Sequence, residues 1–194
     1  MELKFAGIDF GARFAGTTAI TYFEEGKLIT IQSEKGWDTD VWLRNFIASY
    51  QFQLLYIDAP LSLPKAYYEE GSDFNYRRAD RDLNAMSPMF LGGLTARAMS
   101  FNHFVKQSGI KCKEVYPAGY VRSVDILKDL YNKKDQSSLI NVLQFLNQIL
   151  PFSLYADPIN YHQLDSLICW WIGYRHLSDA AIPYGDLSEG LIWI

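Results

Sequence analysis

The chain is poor in cysteine. Its two cysteines, Cys112 and Cys169, lie far apart in 194 residues, each in an apolar setting, which argues against a disulfide framework and against a cysteine metal site. No apolar run reaches the ~20 residues that cross a bilayer. The N-terminal stretch lacks the basic start, apolar centre and small-residue cleavage site of a secretory signal. A soluble, cytoplasmic protein with no membrane partner is therefore expected. Positive charge is also in deficit. The net charge is −4, whereas a protein that coats nucleic acid non-specifically is usually basic. An enzyme acting on one phosphodiester at a metal centre escapes that objection, because the metal supplies the positive charge. Internal repeats and low-complexity segments are absent from the sequence.

Hydrophobic residues make up 49% of the chain and aromatics 15%, so a packed core is expected. The length suits a single domain over residues 1–194. Residues 3–9, 15–23 and LITIQSE alternate in the manner of strands, with EEGK as the turn between the last two, and predict an antiparallel meander. The segment WDTDVWLRNFIASYQ has Val41, Trp42, Phe46 and Ile47 near helical spacing, with Asp or Thr as cap. QLLYIDAP is a near-continuous apolar run, as in a central strand covered on both faces. Prolines and glycines in residues 61–94 predict an irregular insertion with one short helix at most. LTARAMSFNHFVKQSG reads as a helix stopped by Gly109. KCKEVYPAG reads as a strand, VDILKDLYNKKDQSSLINVLQFLNQILP as one or two helices, and INYHQLDSLICWWIGYRHLSD as a long amphipathic helix. This order predicts an α/β fold. Its mixed five-stranded sheet would hold a three-strand antiparallel meander plus parallel strands, flanked by helices.

Three acids fall in or at the ends of these strands: Asp9, Asp58 and Glu114. In open α/β sheets ligands bind outside the carboxyl ends of the strands. If the strands ending on Asp9 and Asp58 are neighbours, their carboxylates need a cation between them or a raised pKa. Oxygen-only sites of this kind suit Mg²⁺ or Mn²⁺. His162 and Asp165 are three apart and share a face of the late helix, from which they can reach the same crevice. Each residue also has a plainer reading. Asp9 and Asp58 could each begin a turn, Glu114 could pair with a nearby Lys or Arg, His162 could be a surface residue, and Asp165 could complement the helix dipole.

Several segments together are similar to one family. IDFG, YIDAPLSLP, RRADRDL, EVYPAG, HQLDSLICWW and EGLIWI resemble domain-of-unknown-function family four-two-nine, predicted nucleases within the ribonuclease-H-like superfamily. The resemblance implies a metal-dependent phosphodiesterase with Asp9, Asp58 and Asp165 as metal ligands. His162 matches a place where related Holliday-junction resolvases carry an acid or a His, and Glu114 is implied as a fourth ligand or a supporting group. The implied cofactor is Mg²⁺ or Mn²⁺, one ion or two, and the implied partner is nucleic acid or a nucleotide. The chain departs from the family at Ala79, where a cysteine is common, and in the late helix, where a richer acidic cluster is common.

Arg13, Arg78 and Arg81 are candidate substrate-binding residues, since guanidinium forks recognise phosphate; solvated salt bridges are the alternative. Two other functions stand beside the nuclease. One is a non-catalytic binding or scaffolding module on the same fold. The other is a nucleotide phosphotransferase of the actin-like and sugar-kinase type, suggested by GIDFGARFAGTTAI but needing a longer chain. The closing GLIWI could pair with a sheet edge or with a partner. Oligomeric state is not legible in the sequence.

Overall fold

The computed structural model describes residues 4–69 and 71–194. Three strands, β1 (Phe5–Asp9), β2 (Ala19–Glu24) and β3 (Lys27–Gln32), form the expected antiparallel meander. Helix α1 (Thr39–Ser49) follows, capped by the Asp38 carboxylate, which accepts from Asp40 N and Val41 N. Strand β4 (Leu54–Asp58) then returns parallel to β1.

The insertion is more ordered than its prolines and glycines suggest. It holds a single 3₁₀ turn at Lys65–Tyr67 and the short helices α2 (Arg78–Asp82) and α3 (Pro88–Leu91). Helix α4 (Gly93–Gln107) leads into β5 (Lys111–Val115). The expected strand through Gly119 stops at Val115, because Pro117 opens α5 (Pro117–Ser123), where a missing N–H costs nothing. Two helices follow, α6 (Asp125–Leu130) and α7 (Gln136–Ile149), and then α8 (Tyr161–Leu177).

The sheet has seven strands, not five. Strands β6 (Pro183–Asp186) and β7 (Gly190–Trp193) extend it, in the order β3-β2-β1-β4-β5-β7-β6. GLIWI is therefore no tail: β7 lies between β5, to which it runs parallel, and β6, to which it runs antiparallel.

The alternation along β1 divides the core. Ala6 and Ile8 join Leu43 and Ile47 of α1 and Ala98, Phe101 and Val105 of α4 on one face. Phe5 and Tyr56 join α7 and α8 on the other. Helix α8 crosses β1 with no clearance. A Cβ on Gly7 would stand 2.1 Å from the Trp170 backbone nitrogen, and one on Gly173 would stand 2.3 Å from the Tyr56 ring. Only glycine at both positions lets the helix backbone lie directly on the strands. Phe5 stacks on Trp170 with centroids 5.0 Å apart, and the Thr21 and Ser166 hydroxyls bond at 2.8 Å across the same interface. This seating delivers the first turns of α8 to the carboxyl end of β1. Among the described residues no helix is long and apolar enough to cross a membrane.

Candidate active site at the carboxyl ends of the central strands

The parallel pairing of β1 with β4 sets Asp9 opposite Asp58. Odd positions of β1 face α8, so both acids rise on the side where α8 begins. Asn160 caps that helix, accepting from His162 N at 3.0 Å and Gln163 N at 3.1 Å. One turn on, Asp165 is buried. Asp9, Asp58 and Asp165 line one cleft of about 400 Å³.

Asp9 pairs with His162, whose Nδ1 lies 2.8 Å from Asp9 Oδ2. The carboxylate can only accept, so Nδ1 carries the proton and donates. This hydrogen bond to Asp9, working against burial, raises the His162 pKa above its ordinary value. Asp9 does not close the turn that follows it: Thr18 and Thr17 hydroxyls accept from Gly11 N and Ala12 N at 2.9 and 3.1 Å. The turn is held further by Arg97, which reaches Gly11 O at 3.0 Å and clasps Asp40.

Asp165 accepts from Tyr131 Oη at 2.5 Å and from Lys133 Nζ at 2.6 Å. Burial raises its pKa and Lys133 opposes that rise. The Asp58 carboxylate makes no hydrogen bond or ion pair among the described residues. Burial, then the charges of Asp9 and Asp165, push its pKa well above the ordinary carboxylate value. Asp58 is thus the one acid of the three without a direct partner among the described residues. As the side chains stand, with Asp9 held by His162 and Asp165 by Lys133, no three His, Cys, Asp or Glu side chains among the described residues are grouped to hold a metal ion.

Glu114 is placed differently from its implied role as a ligand. Its Oε1 and Oε2 accept from Arg77 at 2.6 and 2.7 Å, and Oε2 also accepts from Leu61 N at 2.9 Å. Arg77 is fully buried and also grips Asp80 at 2.7 Å. Burial works against its charge, but Glu114 and Asp80 outweigh that and raise its pKa. Glu114 and Arg77 fasten the insertion to β5 and line the cleft as a neutralised pair.

The three candidate substrate-binding arginines do not line the cleft. Arg13 forms a fork with Asp38, the shorter arm 2.7 Å. Arg78 lies 3.6 Å from Asp82, while its backbone N donates to Glu189 at 2.8 Å. Arg81 bonds Asp73 through Nε at 2.8 Å and lies over the Tyr76 ring. Each is an exposed salt bridge, the plainer of the two sequence readings.

Tyr131 and Lys133 are the site residues that the sequence did not point to. They sit in the polar connector between α6 and α7, where no periodicity marks them. In the sequence, Asn132, Lys133, Lys134 and Asp135 fall inside the stretch read as one or two helices, with nothing to single them out. No protein-family model matches the chain, and no curated protein is significantly similar to it.

Proposed function

We propose that the protein is a metal-dependent phosphodiesterase of ribonuclease-H-like type, in keeping with the family resemblance of its sequence motifs. One observation carries this reading: three carboxylates from β1, β4 and α8 line the same cleft, and one of them, Asp58, has no direct hydrogen-bond or ion-pair partner among the described residues, with only the more distant charge of Lys133 offsetting the crowding. The meander followed by parallel β4 and β5 is the arrangement that reading expects, with β7 and β6 as an extension.

The donor chemistry fits a hard divalent ion, since oxygen ligands and a surplus of negative charge suit Mg²⁺ or Mn²⁺. Asp9, Asp58 and Asp165 would hold it, Lys133 giving up its contact with Asp165. When bound, such an ion lowers the pKa of water and neutralises charge on the phosphoryl oxygens. Hydrolysis joins a water oxygen to phosphorus, breaks one P–O ester bond, and leaves a phosphomonoester and an alcohol. The leaving oxygen must gain a proton, and the attacking water must lose one. His162 is the group suited to that exchange: Asp9 fixes its Nδ1–H, leaving Nε2 as the exchanging atom, and its pKa is tuned upward from near neutrality. Asp58, crowded by like charge, gains most from a cation.

A second reading has its own support. Asp9 is satisfied by His162 and Asp165 by Tyr131 and Lys133, so the acids serve equally as the polar core of a non-catalytic module. One experiment separates the two. Thermal melts with EDTA, Mg²⁺, Mn²⁺ and Ca²⁺ are run beside hydrolysis of bis(p-nitrophenyl) phosphate, for the wild type and Asp58→Asn. Stabilisation by Mn²⁺ or Mg²⁺ and turnover, both lost in the variant, support the enzyme. A protein indifferent to every ion and inert on the ester is the non-catalytic module.

A further inference from the structure

The cleft is lined by side chains of two chemical kinds. Asp9, Asp58 and Asp165 are charged, as are the paired Arg77, Asp80, Glu114 and Lys133. Ala85, Met86 and Leu91 of the insertion, Leu94 of α4, and Phe10 and Tyr116 make the apolar part. Both kinds bound the same space of about 400 Å³, within the range of sites that enclose one small molecule. A phosphodiester set against the acids has two ester arms. One of them meets the apolar part, and a flat ring with an exposed π face matches a compartment lined by aliphatic and aromatic side chains.

Charge narrows the occupant further. A groove that tracks a nucleic-acid backbone presents free Lys and Arg to successive phosphates. Among the described residues two cations line this cleft, and both are engaged. Arg77 has its donors on Asp80, Glu114 and Ser62, and Lys133 is on Asp165. With a net charge of −4, nothing at the cleft supplies a track for a duplex. A base stacked in a duplex also has both faces covered, and extruding it costs a few kcal/mol.

We propose that the cleft takes one unpaired nucleotide, its base in the compartment formed by Met86, Leu91, Leu94 and Tyr116 and its phosphodiester against Asp9, Asp58 and Asp165. The assignment rests on the phosphodiesterase reading for the position of the phosphate. The base position rests on the apolar part alone. Tyr116 carries the one neutral polar group among the described lining side chains, so little reads the base edge, and the four bases bind within a few-fold of one another. A free nucleotide ester and the end of a single strand present the same chemistry.

Calorimetry with adenosine 5′-monophosphate and with ribose 5-phosphate, in Mn²⁺ and again in EDTA, tests the compartment without requiring turnover. The base is expected to tighten binding at least tenfold. Met86→Ala with Leu94→Ala removes most of that gain, and Leu94→Trp, which fills the space, removes it independently of any loosening. Equal affinity for the two ligands overturns the proposal, as does a base advantage that survives both variants at unchanged Tm. A duplex oligonucleotide cleaved as fast as its separated strand also overturns it. Among supporting outcomes, thymidine 5′-p-nitrophenyl phosphate cleaved as fast as a single-stranded oligonucleotide marks free nucleotides as the source, and a strong preference for the strand marks its end. Base-dependent binding with no hydrolysis of any ester, in any ion, leaves the compartment standing and removes the phosphodiesterase reading instead.

Discussion

Asp9 and Asp58 are register partners on adjacent parallel strands, yet one is bonded by an imidazole and the other has no direct partner among the described residues, only the more distant charge of Lys133. The asymmetry decides which acid to remove. Asp58→Asn takes away a crowded charge and leaves the shape almost unchanged. It is expected to stabilise the protein in EDTA by on the order of 1 kcal/mol, roughly 2–4 °C in Tm at this chain length. Asp9→Asn loses its ionic contact with His162 and gains less. Melts of the two variants in EDTA check the ranking; an Asp58→Asn protein less stable than the wild type would show that its charge is satisfied after all.

The pH dependence has one sign throughout the cluster. His162 is raised by its bond to Asp9. Its contribution is complete below about 6.5, the unfolded value, and disappears as pH rises through the higher folded value. Asp58 and Asp165 are raised too, by burial first, so the folded state holds their protons where the unfolded state has released them. Stability attributable to them also falls as pH rises. In EDTA, Tm is therefore expected to decline between about pH 5 and 8. His162→Gln should flatten the portion above about 6.5 and leave the acid portion intact. A wild-type Tm that rises over this range contradicts the assignment.

Lys133 holds Asp165 where a divalent ion would be needed. Its side chain is half exposed while Asp165 is buried, and Tyr131 still donates to Asp165 when Lys133 leaves, so the contact is exchangeable. Lys133→Met is expected to lower Tm slightly in EDTA and to lower the Mn²⁺ concentration giving half-maximal stabilisation by about tenfold, since a competing cation has gone. An unchanged or higher Mn²⁺ requirement would mean that Lys133 assists binding instead of competing with it.

Arg77 carries a heavier structural duty. Removing it leaves Glu114 and Asp80 buried without a counter-charge, and breaking a buried pair from one side costs roughly 3–5 kcal/mol. Arg77→Met should therefore unfold at much lower denaturant, and adding Glu114→Gln should recover part of the loss. Denaturation midpoints of the single and double variants measure it.

The meander and the covered central strand were legible in FAGID, AITYF and LLYID; the late helix was legible in its existence, but it is not the amphipathic helix expected, since Leu164 to Trp170 are buried without a break. The two acids at strand ends followed from those strands, and HxxD followed from helical spacing. What escaped has equally physical causes. Strand β6 reads PYGD, three residues of which are strand breakers, and it exists because β7 supplies a neighbour. Strand β2 begins at Ala19 and not at residue 15: the small residues before it resemble a strand, but the Thr17 and Thr18 hydroxyls lock a turn. Arginines 13, 78 and 81 are candidate anion binders in the sequence; Asp82 is in reach of Arg78 by helical spacing alone, whereas Asp38 and Asp73 come within reach of Arg13 and Arg81 only through the fold. Lys133 shows the same limit: its partner Asp165 is far along the chain, and only the packing of the α6–α7 connector against α8 brings them together.

The backbone contact between Gly7 and Trp170 has a consequence in time as well as in space. Strand and helix there can open only together, so Asp9, His162 and Asp165 travel as one slow-exchanging unit. Lys133 instead belongs to a connector of exposed residues, 132–135, tied only by turn and side-chain hydrogen bonds, which opens more readily than the packed strand and helix. Amide exchange should thus be slowest around Gly7 and Trp170 and faster at residues 132–135, so that the acids stay in place while their native cation comes and goes.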